Sequence, residues 1–120
     1  MKIIEKNIDV YDCSVIIAVT DDFDAFVRQE KLEDYCLSGD NETLNEYNGL
    51  TFRRDINTYC VLFKPDYLTI NTIAHEAFHL AKYIGDDREL YDYRRDTGLE
   101  PLAYLLGFIA QTIYDETCEE

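Results

Sequence analysis

The chain has 120 residues, the size of one domain with a single hydrophobic core. An apolar fraction of 47% excludes a disordered acidic tail, and a formal net charge of −14 leaves no basic surface for nucleic acid or anionic lipid. We therefore predict one folded domain over residues 1–120 that binds neither nucleic acid nor a membrane directly.

The N-terminal stretch places acids before a short apolar run, a pattern unlike a signal peptide or a membrane span. We therefore expect a cytoplasmic protein. No two of the four cysteines are spaced as C-x-x-C, so the sequence excludes a thiolate zinc knuckle and a redox motif. We expect the cysteines to be small buried side chains. They are Cys13, Cys36, Cys60 and Cys118.

The first half of the chain predicts one strand and one helix. Residues 14–20, SVIIAVT, form a β-branched run that is typical of a buried strand. Residues 21–37 begin with acids and carry apolar side chains at helical spacing, which predicts an amphipathic helix. Turn-forming residues in 38–50 end it.

The second half predicts more strand and two helices. Residues 51–63, TFRRDINTYCVLF, predict two short strands or one bent strand. Residues 67–84 predict a helix that starts at a cap on Asp66 or Thr69 and stops at Gly85.

The polar segment 86–98 predicts a loop with at most one helical turn, and residues 99–117 predict an apolar helix through the centre of the domain. This order predicts an α+β fold. We expect a small mixed sheet and a C-terminal helix.

The only two histidines of the chain stand four residues apart in H-E-A-F-H, residues 75–79. At this spacing their Cβ atoms lie roughly 6 Å apart, and both imidazoles can reach one cation at about 2.0–2.1 Å. Glu76 points about 100° away around the helix axis, so it flanks that cation. The pattern predicts that His75 and His79 bind Zn²⁺ and that Glu76 is the general base. The alternative is a half-buried histidine pair without metal.

A hydrolytic zinc site takes three protein ligands, and the chain has no third histidine. Glu100, 21 residues after His79, is the first candidate, and Pro101 places it in the first turn of its helix. The sequence TGLE also fits a capping box between Thr97 and Glu100. Tyr104, one turn after Glu100, is a candidate to orient a ligand or stabilise an oxyanion.

Three aspartates are the alternative carboxylate ligands if Glu100 is a cap. They are Asp86, Asp92 and Asp96.

H-E-A-F-H followed by E-P-L-A-Y resembles the glutamate-type zincins, and is similar to the small phage- and mobile-element-linked peptidases of the ImmA/IrrE type. The resemblance covers about residues 56–108 and implies a minimal zincin-like domain with an edge strand packed on the helix of 67–84. It implies His75, His79 and Glu100 as zinc ligands and Glu76 as general base. It also implies that the strand TYCVLF lies at the edge of the cleft and pairs with an extended substrate.

These observations lead to a functional hypothesis: a zinc metallopeptidase in which Glu76 takes a proton from a metal-activated water. The peptide or protein substrate and the phage or mobile-element origin follow from the resemblance. The alternative is a non-catalytic, zinc-stabilised or metal-free module whose acidic surface binds a basic partner. The sequence does not indicate an oligomeric state.

Overall fold

A four-stranded mixed sheet forms the centre of the fold in a computed structural model, which describes residues 1–32, 44–55 and 57–118. The strand order is β1-β2-β4-β3. Strands β2 and β4 are parallel, and the two outer pairs are antiparallel. The predicted α+β class with a mixed sheet is confirmed. The strands are β1 (Lys2–Ile8), β2 (Cys13–Val19), β3 (Gly49–Asp55) and β4 (Thr58–Phe63).

Three α-helices in the described part of the chain cover the two faces of the sheet. Buried side chains of β2 and β4 alternate between the faces, as the pleat of a strand requires. Val15, Ile17 and Val61 point toward the two long helices, whereas Ala18 and Leu62 point toward the short one. The helices are α1 (Phe23–Gln29), α2 (Ile70–Arg88) and α3 (Glu100–Thr117), with 3₁₀ turns at Asp9–Tyr11, Leu44–Glu46 and Pro65–Tyr67.

The strand predicted over 14–20 is confirmed as β2, and the two-strand alternative for 51–63 is confirmed as β3 and β4. Strand β1 was not predicted. Its residues alternate between exposed and partly buried, and its charged side chains interrupt the apolar pattern. Because β1 covers only the outer edge of the sheet, it needs few apolar residues.

The expected edge position of TYCVLF is wrong. This segment is β4, which lies between β2 and β3, and five of its six residues are buried. A strand covered on both faces is apolar throughout, so the continuous run Tyr59–Phe63 fits a central strand. The edge strand beside α2 is β3.

Helix α2 begins as predicted at a Thr69 cap, whose hydroxyl accepts a 3.3 Å hydrogen bond from the Thr72 amide. The predicted stop at Gly85 is wrong, because the helix continues to Arg88 and ends at Glu89 in the left-handed conformation (φ 54°). Gly85 instead allows close packing. A Cβ there would lie 2.9 Å from Leu102 Cδ1 of α3.

Helix α1 is shorter than the predicted 21–37, because the chain leaves the helix after Gln29 and Lys31 adopts a positive φ of 59°. The remainder of that prediction from residue 33, Cys36 included, lies outside the described residues, as does 38–43 of the predicted turn. Cys13 and Cys60 are buried as expected, and Cys118 is partly buried.

Helix α3 matches the predicted 99–117 but lies on the outside of the domain beside α2. Only Leu105, Ile109 and Ile113 of α3 are fully buried, which corrects the expected central position. Across the described ranges, no helix combines the length and the apolar character needed to cross a membrane.

Candidate metal centre

The two histidines project together from the outer face of α2. The Nε2 atoms of His75 and His79 are 3.2 Å apart. Two nitrogens at about 2.0–2.1 Å from one tetrahedral zinc ion would be about 3.3–3.4 Å apart. Both rings are exposed and lie edge to face, with centroids 4.8 Å apart. The pair fits two adjacent positions of one zinc ion.

The apolar stripe of α2 fixes this orientation. Five apolar residues recur at helical spacing and are buried against the sheet and α3, which sets the rotation of the helix about its axis. Residues on the opposite side of the helix, including both histidines, consequently face solvent. The buried stripe consists of Ile73, Ala77, Leu80, Ala81 and Ile84.

Glu76 lies on the side of α2 that faces strand β3, and it is 5% exposed. The Thr51 hydroxyl donates a 2.7 Å hydrogen bond to Glu76 Oε1. The other carboxyl oxygen, Oε2, lies 3.8 Å from His75 Nε2. One carboxyl oxygen is thus held by the edge strand, while the other faces the histidines.

A cleft opens in front of this carboxylate, and Gly49 at the start of β3 forms part of its wall. A Cβ at Gly49 would lie 3.0 Å from Glu76 Cγ and 3.1 Å from Glu76 Oε2. Only glycine leaves this approach to the carboxylate clear. The cleft is lined by Tyr47, Asn48, Gly49, Asn71, Thr72, His75 and Glu76.

Thr51 and Gly49 were not predicted as site residues. They occupy alternate positions of β3 and so share one face, where Arg53 follows them. In the sequence, a glycine, a threonine and an arginine at alternate positions mark a face that is not part of an apolar core. That signal does not identify Glu76 as the partner.

The same face of β3 binds the end of α2 through a partly buried polar network. Arg53 forms two 2.9 Å hydrogen bonds to Asp87, and the Tyr59 hydroxyl donates a 2.5 Å hydrogen bond to Asp87. Burial raises the pKa of Tyr59 well above its ordinary value, and the Asp87 carboxylate adds to this effect. This network fixes β3 against α2 three turns beyond Glu76.

Glu100 is the first residue of α3 and is exposed. No side chain caps this helix, so the alternative capping box with Thr97 is absent. The start of α3 lies beside Gly85, which follows His79 by six residues, or about 9 Å along the helix axis. Glu100 is therefore in the first turn of α3, as predicted, but it is displaced from the histidines along the axis of α2.

Tyr104 is 75% exposed and points to solvent from α3.

The alternative carboxylates have other partners. Lys82 and the Tyr91 hydroxyl donate to Asp86, and Arg94 donates to Asp92. These bonds lower the pKa of both aspartates. Asp96 is exposed.

Within residues 1–32, 44–55 and 57–118, no three side chains of His, Cys, Asp or Glu converge as a metal site would require. The structure therefore brings together two predicted ligands and the predicted base, and leaves the third ligand as a prediction.

Comparisons of this chain with protein-family models, curated proteins and solved structures find no match. The similarity to zincins rests on the H-E-A-F-H and E-P-L-A-Y residues themselves.

Proposed function

We propose that this protein is a zinc-dependent metallopeptidase. The observation that carries the proposal is the 3.2 Å separation of the His75 and His79 Nε2 atoms beside the buried Glu76 carboxylate. Two imidazoles as metal ligands and a carboxylate as general base are part of what metal-assisted hydrolysis needs, and a third protein ligand completes the set.

The chain's own residues have distinct roles in this reaction. His75 and His79 would hold the metal, and Thr51 orients Glu76 through its hydroxyl group. Glu76 takes a proton from the attacking water and returns it to the leaving amine. When bound, zinc would act as a Lewis acid that polarises the substrate carbonyl and lowers the pKa of the attacking water.

The cleft in front of Glu76 supports an extended substrate. It is open and is bordered by β3, whose outer edge has no neighbouring strand among the described residues. An exposed strand edge binds a peptide through main-chain hydrogen bonds. The proposed substrate is a peptide or protein in the cytoplasm. The phage or mobile-element association follows from the resemblance.

Glu76→Gln is the test of the reaction, because glutamine keeps the shape of the side chain and loses the base. We expect wild type and variant to bind one zinc ion per chain with similar affinity. Only wild type should cleave fluorescence-quenched peptides drawn from a random library. Equal cleavage by both proteins, or by wild type with chelator, would contradict the proposal.

A zinc titration tests the ligands. His75→Ala and His79→Ala should each lower zinc affinity by about a hundredfold or more, since each removes one of few ligands. Glu100→Gln should lower it by about tenfold or more if the Glu100 carboxylate is the third ligand. Such a loss would mean that the start of α3 approaches the histidines in the zinc-loaded protein. Unchanged affinity would remove Glu100 from the ligand set and direct the same test to Asp86, Asp92 and Asp96.

A second candidate function is a non-catalytic module, and the Thr51–Glu76 hydrogen bond favours it. That bond gives Glu76 a structural role, because it joins β3 to α2 in a buried position. In this case the histidines bind zinc weakly or not at all, and the acidic surface binds a basic partner. The absence of peptide cleavage by zinc-loaded wild type, with Thr51→Val reducing stability, would support the module.

A further inference from the structure

The cleft in front of Glu76 is lined in part by polar side chains that the fold itself does not use. Within the described ranges, the side chains of Tyr47, Asn48 and Asn71 form no hydrogen bond to the rest of the protein. All three are exposed, so water satisfies their polar groups in the unbound protein. Their donors and acceptors are consequently available to a molecule that enters the cleft.

These side chains come from two walls of the cleft. Tyr47 and Asn48 directly precede β3, whereas Asn71 lies in the first turn of α2. The two walls approach each other closely, because a Cβ at Gly49 would lie 3.1 Å from Thr72 Cγ2. A phenol and two carboxamides therefore border one narrow space beside the proposed base.

Asn71 brings this polar lining close to the histidine pair. It precedes His75 by four residues, so the two side chains share one side of α2 and lie about 6 Å apart along the helix axis. One residue of an extended peptide spans roughly 3.3 Å. A substrate whose scissile bond lies at the histidines would thus place a side chain one or two residues from that bond beside Asn71.

The composition of the cleft indicates which substrate side chain fits. No lysine or arginine lines it among the described residues, so an acidic side chain would meet the Glu76 carboxylate without a cation to balance the charge. An apolar side chain would displace water from Asn48 and Asn71 and replace none of its hydrogen bonds. A carboxamide both donates and accepts, as the two asparagines do.

We propose that Tyr47, Asn48 and Asn71 select peptides with glutamine or asparagine one or two residues from the scissile bond. This inference rests on the proposed function, because it names the substrate class of the same cleft. The three side chains belong to the protein itself and would bind the substrate side chain directly. The preference for a carboxamide should therefore be measurable without zinc and without cleavage.

Three capped heptapeptides test the preference. They share an alanine background with one terminal lysine and differ only in a central glutamine, glutamate or methionine, which have similar lengths. Each is titrated into zinc-free protein in the presence of chelator, and binding is followed in ¹⁵N NMR spectra. We expect the glutamine peptide to bind about tenfold more tightly than the other two and to shift the side-chain amide signals of Asn48 and Asn71.

Asn71→Leu removes the carboxamide at an exposed helical position and should abolish the preference for glutamine over methionine while the fold is kept. Tyr47→Phe removes one hydroxyl group from the other wall and should reduce the preference severalfold. Gln29→Leu is the matched control. It replaces an exposed carboxamide by leucine at the end of α1, on the other face of the sheet, and should leave all three affinities unchanged.

Equal binding of the three peptides, no binding of the glutamine peptide, or an unchanged preference in Asn71→Leu would overturn the inference. Zinc-loaded wild type then separates this result from the proposed function. Glutamine-selective binding without cleavage would support the selective cleft and contradict the peptidase. Cleavage of all three peptides at equal rates, with equal binding, would support the peptidase and reject the selectivity.

Discussion

The Thr51 hydroxyl and the Glu76 carboxylate form a 2.7 Å hydrogen bond between the edge strand and the histidine-bearing helix. Both residues are buried, with exposed fractions of 8% and 5%. A buried carboxylate that lost its donor would carry the full cost of desolvation. This single contact therefore links the stability of the fold to the position of the proposed base.

Replacing Thr51 tests that link. Thr51→Val keeps the shape and removes the hydroxyl, so we expect the free energy of unfolding in urea to fall by about 1–3 kcal/mol. Thr51→Ser keeps the donor and should recover most of that loss. In the peptide-cleavage assay, Thr51→Val should lower kcat more than it changes KM, because the base is misplaced while the cleft remains. Equal stability of the valine and serine variants would show that the bond contributes nothing.

Two glycines provide a second prediction with opposite signs. Gly49→Ala places a methyl group 3.0 Å from Glu76 Cγ, in a position where the glutamate is already held by Thr51. We expect a loss of about 1–3 kcal/mol from overpacking. Gly107→Ala places the methyl group in open space on a helix, and should add about 0.5–1 kcal/mol.

Urea denaturation of both alanine variants gives the measurement. Displacement of Glu76 in Gly49→Ala should also reduce peptide cleavage, whereas Gly107→Ala should cleave like wild type. If both alanine variants raised the free energy of unfolding, that result would contradict the close packing of Gly49 against Glu76.

The third prediction concerns metal removal. A ligand that binds only the folded state stabilises it, by about 2.7 kcal/mol at a free concentration one hundred times its Kd. Zinc should therefore raise the Tm of wild type, and chelator should reverse the increase. The doubly substituted His75→Ala, His79→Ala protein should show no response to either. An equal zinc response in both proteins would locate binding away from the histidine pair.

The relative position of the histidines could be predicted from the sequence because it depends on one helix alone. A spacing of four residues fixes His75 and His79 on one side of α2, and the apolar stripe fixes that side toward solvent. The Thr69 cap is equally local, since a hydroxyl and an amide three residues apart determine it.

The partners of Glu76 depend on contacts distant in sequence. Thr51 is 25 residues away, and its position follows from the register of β3 against β4, in which Thr51 pairs with Val61. Strand register and order depend on side-chain packing across the whole sheet, which the local pattern of one segment does not reveal. The same reason accounts for the incorrect edge position of TYCVLF.

Gly85 shows a different limit. Glycine is common just past the end of a helix, but it also occurs inside helices where another element packs closely. The local sequence does not distinguish these two uses. Here the choice depends on Leu102, which α3 brings against Gly85 from 17 residues later in the chain.

The last prediction is a loss of stability at alkaline pH through Tyr59. Burial, supported by the hydrogen bond to Asp87, raises the pKa of Tyr59 in the folded protein. A raised pKa in the folded state means that the protonated phenol stabilises the fold. This stabilisation is fully present below the pKa of an unfolded tyrosine, about 10, and is lost as the pH rises above it. The free energy of unfolding of wild type should therefore decrease above about pH 10.

Tyr59→Phe is the matched variant, because it keeps the buried ring and removes the hydroxyl. At pH 7 it should be less stable than wild type by about 0.5–1.5 kcal/mol, since Asp87 loses one donor and keeps two from Arg53. Above pH 10 its stability should fall less steeply, so the two curves should converge. Parallel curves for wild type and variant would assign the alkaline loss to other groups, among them Tyr91, whose pKa the neighbouring Asp86 raises.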